Sequence, residues 1–290
     1  MPDLSNLPRR LVMSNDTIYE VCGALDSPPD IRDYRFATVS EEFPEEFELP
    51  MPAVKNQGSV GSCVAHAIAL TMEYYNKKQH GEDIPMSVGY IYGNRVSSTH
   101  RGRGMYVRAA LQDACGDGDV THLDFPVNVE VPEIFDMVAN EKDRLAPRAL
   151  PYRISSYVKV TDEAEIKTAL YNGYPVVFSI KWYKDAKVKN GILTSKKEKT
   201  DSSHCMVIYG WDKNGWKFQN SWGVLWGDQG RAVLPYDFGI KQAYCVIDEI
   251  VGDIEIIKPF KTETILGRLA VRFINLISSI VYRIWYKMKY

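Results

Sequence analysis

A loop rich in turn-forming residues runs directly into an apolar helical stretch at residues 54–75. The loop occupies residues 55–62. Apolar or small side chains then recur around most of the helix, at Val64, Ala67, Ile68, Leu70, Thr71 and Tyr74. Such a broad apolar face is typical of a helix that is buried at the centre of a domain. We therefore expect the rest of the chain to pack around this helix.

Cys63 is the first residue of the predicted helix. The unpaired backbone N–H groups and the positive end of the helix dipole at this position favour a thiolate over a thiol. Gln57 lies six residues earlier, where its side-chain amide is suited to bind an oxyanion. A structural cysteine in the core would fit the same position. The rest of the chain must therefore decide between a nucleophile and a core residue.

The composition narrows the class of protein. The chain has 290 residues, of which 45% are hydrophobic and 25% are charged, and its formal net charge is −2. This profile is that of a globular protein with room for one large domain or two lobes. Because the chain has no basic excess, nucleic acid is not expected as a partner.

The cysteines limit the chemistry further. Five cysteines lie far apart at irregular spacing, and no two form a C-x-x-C pair. Neither a zinc site nor a disulfide framework is expected, and no metal or cofactor is predicted. The first residues contain no apolar stretch long enough for a secretory signal. Together these features predict a protein kept in a reducing, intracellular compartment.

The pattern of side chains changes near residues 147–151. Before that point, helices are predicted at residues 63–81, 85–95 and 105–114. After it, β-branched and aromatic runs predict strands, with one helix at 161–172; the strands are 152–160, 175–183, 205–211, 216–221, 231–235 and 243–250. The lysine-rich residues 185–203 are interpreted as a long solvated loop. The predicted fold class is α+β, with a helical lobe, a largely antiparallel β lobe and a cleft between them.

The boundaries of these regions divide the chain into four parts. They are an N-terminal extension at residues 1–42, the helical lobe at 43–150, the β lobe at 151–257 and a C-terminal segment at 258–290. Within the last part, residues 264–290 carry apolar side chains at helical spacing, interrupted by basic residues. The longest charge-free run is too short to predict a membrane span. We expect a basic amphipathic helix that binds a membrane surface or a protein partner, or that packs on its own catalytic domain.

Two residues of the β lobe complete a reactive set with Cys63. A thiol nucleophile needs a base, a group that orients the base, and donors for the oxyanion. His204 begins one predicted strand and Asn220 ends the next, so antiparallel pairing would bring their side chains together. His66 lies three residues after Cys63 and is the competing base, but we expect it to point into the packing beneath the helix. We therefore predict that His204 is the base.

Three segments of the chain, PAVKNQGSVGSCVAHA, SHCMVIYGWD and QNSWGVLWGDQG, resemble the signature blocks of the papain-like cysteine peptidases. In that family the His and Asn follow the Cys by about 130–150 residues. Here His204 follows Cys63 by 141 residues, and Asn220 follows it by 157, slightly beyond that range. The resemblance covers about residues 43–250. It implies a two-lobed papain-like fold and a peptidase that acts on polypeptides.

The resemblance also implies a role for each matched residue. Cys63 would be the nucleophile, His204 the base and acid, Asn220 the orienting residue and Gln57 an oxyanion donor. Substrate-binding residues would border the cleft, namely Gly61, Gly102, Gly104, Ser203 and Trp222. Trp222 would in addition shield the bond between the histidine and the asparagine from water.

Two positions depart from the family pattern. Val60 stands where secreted relatives carry a disulfide-forming cysteine, which agrees with a reducing compartment. Val64 stands where an aromatic residue usually follows the nucleophile. This second change predicts an altered cleft wall and a changed preference on the leaving-group side, without loss of a reacting group.

The N-terminal segment bears on regulation and location. Residues 21–36 resemble the leader of intracellular microbial and large-virus members more than the long pro-region of lysosomal ones. The resemblance predicts a zymogen whose N-terminal segment covers the cleft and is removed or displaced, and the alternative is a solvated or surface-docked arm. The amphipathic C-terminal segment and the resemblance to large-virus members predict a protein that is membrane-associated or packaged in a virion. Two alternatives to a peptidase stay open. They are a papain-fold binding or assembly protein with a masked site, and an acyl transferase that uses the same residues.

Overall fold

The computed structural model describes residues 22–27, 42–95, 103–195, 197–198 and 202–248. Some predictions fall on other residues, including most of the N-terminal extension at residues 1–42, of which only residues 22–27 and 42 are described. The amphipathic helix within residues 258–290 and the cleft residue Gly102 both lie outside the described residues.

The first helix, α1, runs through the centre of the molecule at Cys63–His80 and ends at Gly81, as predicted. Residues 63–76 are all buried. Alanines at Ala65, Ala67 and Ala69 take little space, so neighbouring elements approach this helix closely from several sides. The prediction of a buried central helix is confirmed.

Further helices flank α1 in the described part of the chain. Their bounds are α2 (Val88–Asn94), α3 (Val107–Gly116), α4 (Ile134–Asn140), α5 (Lys142–Ala149) and α6 (Glu163–Tyr171). Asp162 caps α6, since its side chain accepts a hydrogen bond from the Glu165 N–H at 2.9 Å. The first five helices precede the main sheet, so the first half is mostly helical, as predicted.

The strands form a two-stranded and a nine-stranded sheet. The larger sheet has the order β4-β11-β5-β8-β9-β10-β7-β6, and β2 also pairs with β8. The strand bounds are β1 (Ala24–Leu25), β2 (Phe47–Glu48), β3 (Met105–Tyr106), β4 (Ser156–Lys159), β5 (Val176–Lys181), β6 (Lys187–Lys189), β7 (Ile192–Thr194), β8 (Ser203–Asp212), β9 (Gly215–Gln219), β10 (Arg231–Leu234) and β11 (Gln242–Ile247). Within the larger sheet only β10 and β7 pair in parallel. The prediction of an α+β fold with a largely antiparallel second half is confirmed.

Two local predictions are wrong. Residues 185–203 contain the β6–β7 hairpin, closed at Asn190 and Gly191, which both have positive φ (50° and 77°). An Asn-Gly pair between short strands is a hairpin signal that the lysine content of the segment obscured. The segment predicted as a helix from residue 105 begins instead as β3, because its backbone pairs with β1.

The described N-terminal arm, residues 22–27, lies against the helical part of the molecule. Its strand β1 pairs in parallel with β3, with Ala24 opposite Met105 and Leu25 opposite Tyr106. The Met105 N–H donates to the Gly23 carbonyl oxygen at 2.8 Å. The arm is therefore held by main-chain hydrogen bonds as an added strand.

Candidate active site

The Cys63 side chain lies at the N-terminus of α1 and is fully buried. The backbone N–H groups of Gly23, Cys63, Val64 and Cys205 lie near enough to its thiol to favour the ionised form. Two of these groups belong to the helix start, one to β8 and one to the N-terminal arm. The central helix, the sheet and the arm therefore meet at this sulfur atom.

The surroundings of Cys63 keep the thiol neutral in this state. Burial raises the pKa of the Cys63 thiol to about 11, although the four N–H groups act in the opposite direction. Loss of hydration disfavours the thiolate more than a helix N-terminus favours it when water is excluded. The thiolate expected from the helix position is therefore wrong for the arm-covered state, because that expectation took no account of what covers the sulfur.

His204 and Asn220 share a hydrogen bond of 2.7 Å between Nε2 and Oδ1. The antiparallel pairing of β8 with β9 brings the two residues together, as their sequence positions predicted. The Ser221 N–H also donates to Asn220 Oδ1, at 2.8 Å, which identifies this atom as the amide oxygen. An oxygen acceptor requires the proton to be on His204 Nε2, so in the neutral ring the Nδ1 atom carries the lone pair.

The lone pair on His204 Nδ1 is available for chemistry. Nδ1 is buried and has no hydrogen-bond partner among the residues that the structure describes. Burial lowers the pKa of His204 to about 4, against the upward effect of the hydrogen bond to Asn220. A neutral imidazole with a free lone pair is the form that accepts a proton.

An aromatic cluster covers the bond between His204 and Asn220. Trp222 stacks on the His204 ring, with ring centroids 4.5 Å apart and an interplanar angle of 26°. Trp182 packs edge-on against both rings at 5.3 and 4.7 Å, and Trp226 packs edge-on against Trp222 at 5.7 Å. Trp222 and Trp182 are buried, so they exclude water from the histidine. The sequence analysis did not single out Trp182, since its position in β5 reads as ordinary core.

Gln57 is fixed by hydrogen bonds to its own loop and to Ser221, the residue after Asn220. Its Nε2 donates to the Val60 carbonyl oxygen at 2.8 Å, and its Oε1 accepts from Ser221 Oγ at 2.5 Å. Its own backbone N–H donates to the Ser221 carbonyl oxygen at 2.8 Å. Ser221 thus ties the loop before α1 to the loop after β9. The sequence analysis missed this role, although Ser221 lies within the QNSWG block.

The predicted cleft residues that are described surround the arm. An added Cβ on Gly23 would lie 2.0 Å from the Gly61 carbonyl oxygen. One on Gly104, whose φ is 88°, would lie 2.4 Å from the Gly23 carbonyl oxygen. Only glycine allows backbones to approach this closely. On the sheet side, Ser203 Oγ accepts a hydrogen bond from Lys241 Nζ at 2.9 Å.

His66 is held by the helix that carries it. Its Nδ1 lies 3.0 Å from the Ser62 carbonyl oxygen, so it donates to that atom. The residue lines a small, partly open pocket together with Leu70, Met206 and Asn220. Burial lowers the pKa of His66 to about 4. The histidine thus points into the packing, as predicted.

The described residues contain no cluster of three or more metal-ligating side chains of His, Cys, Asp or Glu. A search of the same residues for helices long and apolar enough to cross a membrane finds none.

Comparison with known proteins decides the family. The sequence profile described as papain family cysteine protease matches residues 44–244. The chain belongs to this family. This papain-family protein is accordingly a cysteine peptidase by class, and the resemblance found in its three sequence blocks is confirmed.

Viral and animal proteins are among its relatives. A peptidase C1-like protein of Acanthamoeba polyphaga mimivirus is 28% identical over 222 residues, which cover 69% of this chain and 70% of the relative. Viral cathepsin of Adoxophyes honmai nucleopolyhedrovirus is 25% identical over 78% of this chain and 64% of its own length. Mouse cathepsin K is 28% identical over 79% of this chain and 66% of its own length. The match thus spans less than two thirds of each of these two cathepsins.

Solved structures confirm the papain-like, two-lobed fold. Xylellain, a cysteine protease from Xylella fastidiosa, aligns with a TM-score of 0.70 at 20% identity and covers 80% of this chain and 97% of its own. Procathepsin B S9 from Trypanosoma congolense aligns with a TM-score of 0.65 at 15% identity, over 82% of this chain and 90% of its own.

Proposed function

We propose that this papain-family protein hydrolyses peptide bonds through Cys63, His204 and Asn220, with an acyl-enzyme intermediate. The observation that carries the proposal is the hydrogen bond of 2.7 Å from His204 Nε2 to Asn220 Oδ1. It leaves the Nδ1 lone pair free on a ring whose neighbour in the strand, Cys205, has its backbone N–H near the Cys63 thiol. A nucleophile, a base and an orienting group are thus close together.

The proposed reaction has two halves. His204 Nδ1 takes the proton of Cys63, and the sulfur attacks the carbonyl carbon of the substrate. The amine leaves with the proton from His204, and a thioester remains. Water, deprotonated by the same imidazole, then attacks the thioester and releases the carboxylic acid and the thiol. The Gln57 amide and the Cys63 backbone N–H donate to the oxyanion of each tetrahedral intermediate.

In this proposal the N-terminal arm keeps the enzyme inactive. Gly23 packs against Gly61, two residues before Cys63, and its N–H lies near the thiol, so the arm occupies the space that a substrate carbonyl would need. Displacing the arm admits water and polypeptide to the cleft. Restored hydration then lowers the pKa of Cys63 and raises that of His204, which favours the ion pair of thiolate and imidazolium.

An epoxide peptide that labels reactive thiols tests the proposal on the full chain. Gly23→Ala places a methyl group against the Gly61 carbonyl oxygen and should displace the arm. We expect labelling about 10-fold faster than in the wild type, as for an overpacked contact. Gly116→Ala is the matched control, since an added Cβ there meets nothing within 4 Å. Cys63→Ala in the Gly23→Ala chain should abolish labelling, and His204→Ala should slow it.

The outcomes separate the alternatives. Labelling that survives Cys63→Ala overturns the assignment of the nucleophile. If the Gly23→Ala chain is neither labelled nor active, the result supports the second candidate, a binding or assembly protein with a masked site. The full burial of Cys63 also fits this candidate. Acyl transfer is distinguished by adding an amine acceptor to a peptide ester and measuring the ratio of amide to acid.

The cellular setting is part of the same proposal. The names of the viral relatives favour a peptidase that acts inside an infected cell or is packaged in a virion. Contact with a membrane surface or a protein through residues 264–290 is tested by flotation with anionic liposomes. The full chain should float, and a chain without residues 258–290 should not. Equal behaviour of the two chains would rule out the membrane surface.

A further inference from the structure

Leu25, Asp26 and Ser27 of the arm are held by two side chains. These belong to Lys241, which precedes β11, and to Gln242, the first residue of β11. Gln242 Nε2 donates to the Leu25 carbonyl oxygen at 3.0 Å, and Gln242 Oε1 accepts from the Ser27 N–H at 3.3 Å. Between these backbone contacts, the Asp26 carboxylate meets the Lys241 ammonium at 2.6 Å. One side chain thus binds the backbone and the other binds the acidic group.

The lysine is positioned by the catalytic side of the cleft. The Lys241 N–H donates to the Ser179 carbonyl oxygen of β5 at 2.8 Å, which fixes the backbone of this residue. Its ammonium donates to Ser203 Oγ at 2.9 Å, and Ser203 directly precedes His204. Lys241 therefore stands on the same wall as the predicted base.

Asp26 is the only carboxylate among the described residues that contacts the Lys241 ammonium. When the arm leaves, this partly exposed cation loses its partner and keeps only the Ser203 hydroxyl. Gln242 at the same time loses both of its backbone partners. The Lys241 ammonium and the donor and acceptor of the Gln242 amide are then available to a substrate.

We propose that Lys241 and Gln242 determine substrate specificity, by selecting polypeptides with an Asp or Glu side chain two or three residues from the bond that is cleaved. The proposal rests on the peptidase function proposed above. Gly23 marks the position of the reacting bond because its backbone packs against Gly61, two residues before Cys63. Asp26 lies three residues further along the arm. Asp26 would thus occupy the place of the selected acidic residue.

The same groups can bind a substrate that runs in either direction through the cleft. The amide of Gln242 carries both a donor and an acceptor, so it pairs with a peptide backbone of either polarity. The contact from Lys241 is a charge-assisted hydrogen bond to a carboxylate, which is about twice as strong as a neutral one. Selection therefore depends on the charge of one substrate side chain.

The test uses the full chain with Gly23→Ala and fluorogenic peptides that differ at one position. Asp and Asn are compared at each of three positions on both sides of the cleaved bond. We expect kcat/KM to be about 10-fold higher for Asp at one position, two or three residues from the bond, as for a charge-assisted contact. The ratio should be close to one elsewhere.

Substitutions of the lysine then identify the group that is responsible. Lys241→Gln should bring the ratio of Asp to Asn close to one, Lys241→Arg should retain the preference, and Lys241→Glu should favour Lys over Asp. Lys213→Gln is the matched control, because this exposed lysine lies at the far end of β8, about 30 Å from Ser203. It should leave the ratio unchanged.

The results that overturn this inference differ from those that overturn the proposed function. Turnover without a preference for Asp, or with a preference that Lys241→Gln and Lys241→Glu leave intact, overturns the specificity alone. Absence of both peptide turnover and thiol labelling in the Gly23→Ala chain overturns the proposed function and this inference with it.

Discussion

His66 and His204 are two buried histidines that burial affects in the same way. Both are buried, and burial lowers the pKa of each to about 4. They differ in what binds the ring. His66 Nδ1 donates to the Ser62 carbonyl oxygen one helical turn earlier, whereas His204 Nε2 donates to a side chain on the next strand.

This difference decides which histidine is suited to catalysis. In His66 the hydrogen bond ties the ring to its own helix, so its function is to complete the packing. In His204 the bond to Asn220 holds the ring from behind and leaves Nδ1 unpartnered among the described residues. Burial and a shifted pKa therefore do not distinguish the proposed base from a structural histidine, whereas the hydrogen-bond partner of the other nitrogen does.

The largest expected effect comes from exchanging each histidine for glutamine in the full chain with Gly23→Ala. His204→Gln should lower kcat/KM for a peptide substrate by roughly 10³-fold, within the range for loss of a general base. His66→Gln should keep kcat/KM within about threefold of the parent, since its ring makes a structural bond. Equal losses in the two variants would contradict the assignment of His204.

Removing the orienting amide should have the next largest effect. Asn220→Ala removes the hydrogen bond that holds the His204 ring and exposes Nε2 to water. We expect kcat/KM to fall roughly 10²-fold. Asn214→Ala in the turn between β8 and β9 is the control, and steady-state kinetics at several pH values measure both. Wild-type kinetics in Asn220→Ala would show that the hydrogen bond does not position the base.

The pH dependence of the free energy of unfolding tests the effect of burying the His66 ring. The folded pKa of about 4 lies below the ordinary value of 6.5, so the unfolded chain binds more protons between these values. The free energy of unfolding therefore falls as pH decreases from 6.5 toward 4. Between pH 7.5 and 5, His66→Gln should lose about 2 kcal/mol less than the wild type in urea unfolding.

The exposed His80 at the end of α1 supplies the control for this measurement. His80→Gln should follow the wild type across the same pH range. If His66→Gln also follows it, burial of the His66 ring is not a source of the acid sensitivity.

The smallest effect concerns the aromatic cover over His204. Trp222→Leu removes the stacked ring, and we expect the missing aromatic contact alone to contribute about 1 kcal/mol to the loss in the free energy of unfolding. Water should then reach the imidazole and raise its pKa, which NMR titration of the full chain with Cys63→Ala would detect. An unchanged titration would show that Trp222 does not shield the ring.

Much of the candidate site is predictable from the sequence because the residues of each sequence block lie close together in the chain. The loop, the cysteine and the apolar face of α1 are contiguous, and strand pairing over the 16 positions between His204 and Asn220 follows from simple alternation. The hairpin at Asn190 and Gly191 carried an equally local signal. The prediction missed it because the flanking lysines favour a solvated loop, whereas the two turn residues favour a hairpin.

The contacts that join distant parts of the chain were not predictable in the same way. Asp26 and Lys241 are 215 positions apart, and Ser221 reaches Gln57 across 164. No periodicity or motif relates such pairs, because their proximity depends on how the arm, the helices and the sheet pack together. The same is true of Trp182, which becomes a cover for His204 only through that packing.

The sequence by itself therefore determined the α+β class, the family and the identities of Cys63, His204, Asn220 and Gln57 as reactive candidates. Only the tertiary structure decided that Gly23 packs against Gly61 beside Cys63, that Lys241 faces an acidic residue, and that burial favours the neutral forms of Cys63 and His204. The physical reason is desolvation. A helix N-terminus is a local property of the chain, whereas the loss of water around a charge depends on every element that covers it.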